Sequence, residues 1–318
     1  MSSRHIFLTV AVLGLVASLG AGCSVSALRD KFSGSSTGDN TTSTKEVTGP
    51  QVAMFDGLSP VQAAQKIQFV GSSVIVMQQG FNGIGGQLAQ KLGFGGNAGT
   101  RTVVIRSYSP QTTAEIEWKL STKVAPDPKI PKDTGERQTT GSLVDAKLLS
   151  AHKLYLPGYW PEAIDKSAFD TSLIWLSAQN YADLSKNKVT TLDLGVTDEL
   201  LSSSFAGASA IKSAVQKIRG VQDTVGTHTD IYTMTADPQP STMTLKVNGK
   251  NVTVQVLKAR NWFGEITVLD NKLNPLVLDV TLDPLMLAAA DATAGSGFMK
   301  TALGYHITEL QDIVQAQK

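Results

Sequence analysis

Polar and apolar residues alternate strictly along several stretches of the chain. In TAEIEWKL (Thr113–Leu120) the alanine, isoleucine, tryptophan and leucine fall on one face, and the glutamates and the lysine fall on the other. This period of two predicts a strand with one buried face, and the β-branched RTVVIRSY before it predicts a second strand. In TMTLKVNGKNVTVQVLKA two alternating runs flank Asn248-Gly249, a pair that favours a two-residue hairpin turn because both residues accept a positive φ. These patterns predict an antiparallel sheet.

A different period begins at Ser59. Ser59, Pro60 and Gln62 match an N-cap, a first helical residue and a capping box. Apolar residues then recur at helical spacing from Ala64 to Met77. The stretch VIVM within this run fits the continuation of the helix as well as it fits a strand. Glycines follow at positions 80, 83, 85 and 86 and interrupt the apolar stripe, so this segment either packs closely in the protein or touches a membrane or a lipid.

The second half of the chain mixes both patterns. The run FGEITVLDNKLNPLVLDVTL predicts another hairpin, which turns at Asp270–Pro275 because Asp, Asn and Pro favour turns. An amphipathic helix is predicted around 211–218 and another helix at 284–292. The chain is therefore expected to form an α+β domain, with an antiparallel, β-sheet-rich body, a helical N-terminal segment and a few packed helices.

The first residues predict export and lipidation. A thin basic start precedes the uncharged apolar run IFLTVAVLGLVASL, which is too short to cross a bilayer as a helix but suits a signal peptide. Cys23, the single cysteine, follows two small residues and resembles the lipobox cysteine of bacterial lipoproteins, with Gly20 where that family prefers leucine. The resemblance implies cleavage before Cys23 and diacylation, and two or more acyl chains would hold the protein on a membrane.

The chain is expected to have three parts. Residues 1–22 form the signal peptide, residues 23–56, rich in Ser, Thr and Gly, form a flexible tether, and residues 57–318 form a single folded domain. The Pro- and Lys-rich stretch 125–142, predicted to be an exposed loop, offers an alternative boundary inside that domain. The formal net charge of +1 provides no basic surface, so no nucleic-acid partner is expected.

No catalytic set, cofactor site or metal site is expected from the sequence. The glycine-rich loop at 80–86 matches neither the dinucleotide-binding nor the phosphate-loop pattern, and the histidines after the signal peptide are widely separated. Glu115 and Glu117 fall on one strand face, where they form either an acid/base pair or, more simply, a solvated face. His228 and Asp230 either contribute to a catalytic triad or form a local polar pair.

Two aromatic groups are the candidate ligand-binding residues. Tyr155, Tyr159 and Trp160 cluster around two prolines in KLYLPGYWPEA, and Trp262 and Phe263 stand together before the second hairpin. The first group forms either a carbohydrate- or lipid-facing loop or, as the prolines favour, a rigid loop that folds back on the core.

Two blocks resemble a domain of uncharacterised exported bacterial proteins, some of which carry an OmpA-like module. The blocks are FDTSLIWLSAQNYADLSKNKVTTLDL, at 169–194, and VLKARNWFGEITVLDNKLNPLVLDV, at 256–280. The resemblance, which spans 143–313, implies an antiparallel, sheet-rich α+β fold and supplies no catalytic residues.

Together these features predict a lipid-anchored cell-envelope protein whose domain binds or scaffolds without catalysing a reaction. The expected partners are the membrane, through lipidated Cys23, and a hydrophobic ligand or another envelope protein. The residue after Cys23 is Ser24, whereas an aspartate at that position retains some lipoproteins at the inner membrane. The outer membrane is therefore the expected location. The alternative is a hydrolase of envelope polymers that uses carboxylates or the His228–Asp230 pair.

Overall fold

Most of the described chain is β-strand. All the described residues belong to one unit that spans Thr48–Lys318. The computed structural model describes residues 54–79, 99–124, 126–127, 129–130, 132–162, 164–165, 170–194, 232–261, 264–282 and 304–314.

The described residues form strands, two α-helices and a short 3-10 turn at Pro157–Tyr159. The helices are α1 (Pro60–Lys66) and α2 (Ala178–Asn187). In chain order the strands are β1 (Val74–Gln79), β2 (Thr100–Ser109), β3 (Thr113–Lys123), β4 (Glu136–Lys147), β5 (Ile164–Asp165), β6 (Val189–Thr191), β7 (Thr233–Ala236), β8 (Ser241–Val247), β9 (Lys250–Arg260), β10 (Gly264–Leu269), β11 (Val277–Leu282) and β12 (Tyr305–Gln311).

The predicted α+β fold with a helical N-terminal segment and a few packed helices is wrong, because the protein is mostly β and the described part contains only two helices. Helix α1 has the predicted capping box on Ser59, but it ends at Lys66. The ambiguous VIVM stretch forms β1, since it pairs with a strand on each side and its β-branched residues fit a pleated sheet. Three predicted features lie outside the described residues: the helices around 211–218 and at 284–292, and the glycines at 80–86.

The local strand predictions are confirmed. β2 and β3 pair as neighbours, and the apolar face of β3 is the buried one. Asn248 and Gly249 have φ values of 48° and 82°, as the two-residue turn between β8 and β9 requires. β10 and β11 pair as the second hairpin. The stretch predicted as an exposed loop, 125–142, is only partly a loop, because Glu136 begins β4 and pairs with the end of β3.

Strands β8 to β12 close into a barrel-like sheet. Consecutive members of this group pair in antiparallel fashion, and β8 pairs with β12 in parallel. The parallel closure follows from the odd number of strands, since the first and last strands of a five-stranded up-and-down meander run in the same direction. The free edge of β12 then pairs with β1, which carries β2, β3 and β4 outward as a second sheet region.

The turn between β10 and β11 joins several elements in the core. Asn271 donates from Nδ2 to the carbonyl oxygens of Ala64 and Ile67, at 3.0 and 2.9 Å, and so fixes the end of α1. Trp175, which is fully buried, donates from Nε1 to Oδ1 of Asn274 at 2.9 Å. The predicted role of this segment as a turn is therefore confirmed, and its asparagines additionally bind distant parts of the chain. Within the described residues, none of the helices is long and apolar enough to span a bilayer.

Candidate functional site

The aromatic loop at Tyr155–Trp160 folds back on the core, which is one of the two alternatives that the sequence left open. The Trp160 side chain is 5% exposed, and its Nε1 donates to the carbonyl oxygen of Tyr155 at 2.7 Å. The hydroxyl of Tyr155 donates to the carbonyl oxygen of Tyr159 at 3.1 Å. These bonds, together with the 3-10 turn between them, hold the Trp160 indole against β3 rather than in solvent.

The other sequence candidates do not converge on a site within the described part of the chain. Glu117 forms an ion pair with Arg106 on the exposed face of the sheet, and Glu115 lies beside it on the same strand face. His152 shares a hydrogen bond with Asn180 and His306 with Asp279, and no group of three metal-ligating side chains is found among the described residues. The remaining candidates lie outside the described residues: Cys23, His228, Asp230, Trp262 and Phe263.

A buried cation occupies one end of the β1–β4 sheet core. Arg101 is the second residue of β2, and it lies in phase with the buried Val103 and Ile105, so the strand alternation places its side chain on the core face. Its cross-strand partners are Met77 on β1 and Leu120 on β3, which are both apolar. The Arg101 side chain is consequently enclosed, with an exposure of only 3%.

Two indoles and one amide surround the guanidinium, and we call Gln79, Arg101, Trp118 and Trp160 the arginine–indole cluster. The Arg101 Cζ atom lies 4.1 Å from the ring centroid of Trp118 and 5.0 Å from that of Trp160. The two indole centroids are 6.2 Å apart, with their planes inclined by 49°. Both rings are close enough for a cation–π attraction, which is strongest where water is excluded.

Glycine at position 141 makes room for this arrangement. Gly141 on β4 is the cross-strand partner of Trp118. A Cβ atom at this position would lie 2.8 Å from Cζ2 of Trp118 and 2.4 Å from the carbonyl oxygen of Pro161. The absence of a side chain therefore allows the Trp118 indole to lie against β4 and beneath the guanidinium.

Several hydrogen-bond donors of the cluster have no acceptor among the described residues. Nη2 of Arg101 donates to Oε1 of Gln79 at 3.1 Å. Nε and Nη1 of Arg101 and Nε1 of Trp118 are buried and have no acceptor there. No carboxylate pairs with Arg101 in the described ranges, and burial lowers its pKa to about 10, so the group is still charged at neutral pH. The cluster thus combines a buried positive charge with several unused donors.

The sequence pattern does not predict this cluster. It predicts a β-branched strand at Arg101 and a buried apolar face at Trp118, without a site at either residue. The available signal was the phase of the alternation, because a charged residue two positions before Val103 must share the apolar face. Such a residue needs a partner or a function, since an uncompensated buried charge is unfavourable. Gln79 gives the same signal at the end of β1.

No protein-family model, no curated protein and no solved structure matches the chain.

Proposed function

We propose that this chain is a lipid-anchored envelope protein whose folded domain is a binding module, and that the module holds the anionic group of its ligand at Arg101. The observation that carries the binding proposal is the buried guanidinium whose Nε and Nη1 have no acceptor among the described residues. A ligand of this kind also fits the expected hydrophobic partner, because the walls of the cluster are indoles and aliphatic side chains.

The burial of the Arg101 guanidinium is only partly compensated by its neighbours. Cation–π contacts with Trp118 and Trp160 partly compensate the buried charge, but the N–H groups of Nε and Nη1 still lack acceptors among the described residues. Buried polar groups are almost always hydrogen-bonded, and each unmet donor is unfavourable by roughly 1–3 kcal/mol. An anion beside the guanidinium would supply an acceptor and a compensating charge at once, and charge-assisted bonds are about twice as strong as neutral ones.

The anchor is proposed from the sequence around Cys23. An export signal followed by a lone cysteine fits lipidation, and the acyl chains would bring the domain to a membrane surface, with the outer membrane favoured by Ser24.

The hydrolase alternative receives no support from Glu115 and Glu117, because Glu117 forms an ion pair with Arg106 on an exposed face.

Lipidation is tested by intact-mass spectrometry and fractionation of the native protein beside a Cys23→Ala variant. We expect a mature wild-type chain that begins at Cys23, carries added acyl mass and sediments with membranes, and a variant that is released into the soluble fraction. An unmodified wild-type chain would refute the anchor. A variant that stays on the membrane would show that another segment makes the membrane contact.

Anion binding is tested by calorimetric titration of the wild-type protein with benzoate and with uncharged benzyl alcohol. We expect benzoate to bind at one site and benzyl alcohol to bind at least tenfold more weakly, because only the anion satisfies Arg101. Arg101→Gln should abolish the preference. Arg106→Gln is the matched control, since Arg106 lies on the same strand with an exposed side chain. Equal behaviour of the two variants would contradict the proposal.

A further inference from the structure

We infer that the ligand of the arginine–indole cluster is a singly charged amphiphile, with one carboxylate at Arg101 and an apolar body against the indoles. This inference rests on the proposed binding function and specifies its ligand class. It is carried by three properties of the site: the number of buried cations, the character of the neighbouring side chains, and the type of the unused hydrogen-bonding groups.

The number of cations limits the charge of the ligand. Arg101 is the only lysine or arginine that is buried in the described part of the chain. One anionic charge therefore neutralises the cluster, whereas a phosphate monoester would bring a second negative charge that no described group compensates. An unpaired charge in such surroundings is strongly unfavourable. The cluster should thus prefer a monoanion to a dianion of the same size.

The unused groups define the polar end of the ligand. Nε and Nη1 of Arg101 and Nε1 of Trp118 are all donors, and none of them can accept. A carboxylate offers acceptor sites only, on two oxygens. A protonated acid, an alcohol or an amide would place at least one further donor among these donors. We therefore expect the cluster to bind the ionised acid more tightly than the protonated acid.

The neighbouring side chains define the rest of the ligand. Met77 and Leu120 flank Arg101 across the sheet, and the indoles of Trp118 and Trp160 lie against its guanidinium. A body without charges or hydrogen-bonding groups would remove its own apolar surface from water there, with a favourable contribution of about 25 cal/mol for each Å². A sugar or peptide body would instead bring polar groups that need partners.

The test is a titration of the full-length mature protein with four ten-carbon probes at pH 8, each below its micelle-forming concentration. The probes are decanoate, decyl phosphate, 1-decanol and decylammonium, which differ mainly in the charge of the head group. Calorimetry gives Kd, and urea denaturation with and without each probe gives the linked increase in stability. We expect decanoate to bind at least tenfold more tightly than each of the other three.

Two variants assign the effect to the cluster. Arg101→Gln should weaken decanoate binding at least tenfold and remove the urea-midpoint shift, while Arg106→Gln should stay within twofold of the wild type. Trp118→Phe keeps an aromatic ring but deletes the indole donor, and it should weaken decanoate binding severalfold more than it weakens 1-decanol binding. This second variant preserves the test if Arg101→Gln folds poorly.

The remaining outcomes separate the two proposals. Tighter, Arg101-dependent binding of decyl phosphate would overturn the single-charge inference and leave the anion-binding function in place. Equal binding of decanoate and 1-decanol in all variants would overturn the inference because Arg101 would not contribute. If neither benzoate nor any decyl anion binds the wild-type protein, the proposed binding function itself is wrong.

Discussion

Replacing Asn271 by aspartate should lower the free energy of unfolding by roughly 3–5 kcal/mol at neutral pH, because a buried hydrogen-bond donor becomes an acceptor. Asn271 is 3% exposed, and its Nδ2 donates to the carbonyl oxygens of Ala64 and Ile67. Its Oδ1 accepts from the backbone N–H groups of Leu273 and Asn274, at 3.0 and 3.2 Å. The aspartate has the same shape, but it directs an oxygen at two carbonyl oxygens and brings a charge.

The pH dependence of the variant's stability tests whether the buried carboxylate causes the loss. Burial beside two carbonyl oxygens raises the pKa of an aspartate, so the folded variant binds more protons than the unfolded chain and its stability rises as the pH falls. The difference in stability between variant and wild type should therefore shrink between pH 7 and pH 5, since a protonated carboxyl can again donate. Urea denaturation at both pH values measures it. Asn251→Asp, at an exposed position of β9, is the control and should change stability by about 0.5 kcal/mol or less. A deficit that is the same at both pH values would contradict the explanation.

The second large effect is a loss of stability above pH 10, which we attribute to three tyrosines. Burial raises the pKa of Tyr108, Tyr181 and Tyr305 above the usual range, and the carboxylate of Asp270 adds to the effect at Tyr181. Each hydroxyl also donates a hydrogen bond in the folded protein, at 2.8 Å from Tyr108 to a backbone carbonyl, 2.6 Å from Tyr181 to Asp270 and 3.1 Å from Tyr305 to a backbone carbonyl.

The sign follows from proton binding. Above pH 10 the unfolded tyrosines lose their protons while the folded ones keep them, so the stability that is fully present below pH 10 decreases as the pH rises. Each tyrosine contributes a slope of about 1.4 kcal/mol per pH unit. Arg101 acts in the opposite direction because its pKa is lowered, but one arginine offsets only one tyrosine.

Urea denaturation between pH 8 and pH 11.5 measures this slope. Tyr305→Phe should be less stable than the wild type at pH 8, because its hydrogen bond to the Val277 carbonyl is lost, yet its stability should fall less steeply above pH 10. Phe69→Leu is the matched control, since it weakens the same core without removing a titratable group. Parallel curves for wild type and Tyr305→Phe would show that this tyrosine does not cause the alkaline loss.

Local signals in the sequence explain why some elements were predicted well. The alternation in β3, the Asn248-Gly249 turn and the capping box on Ser59 each depend on neighbouring residues. Such features form wherever the surrounding structure permits them, because side-chain period, φ preference and cap hydrogen bonds are properties of a few consecutive residues. For the same reason the second hairpin was placed correctly at the turn after Leu269.

The failures concern interactions between distant residues. The apolar spacing of Val74–Met77 fits a helix and a strand equally, and the choice is made by β2 and β12, which pair with both edges of β1. The helical N-terminal segment of the expected α+β fold likewise ends at Lys66, and the apolar run that was expected to continue it forms β1, whose partners lie far away in the chain. Periodicity alone cannot separate these outcomes for a short apolar run.

The sequence by itself determined the strands with clear alternation, the tight turns and the first helical cap, and it placed the aromatic loop among the residues of interest. The tertiary structure decided the closure of β8 to β12 and the arginine–indole cluster, whose four members come from β1, β2, β3 and the segment after the 3-10 turn. The physical reason is the separation in sequence of the interacting residues. A cap or a turn is set by bonds within a few residues, whereas a buried charge acquires its surroundings only when separate strands pack together.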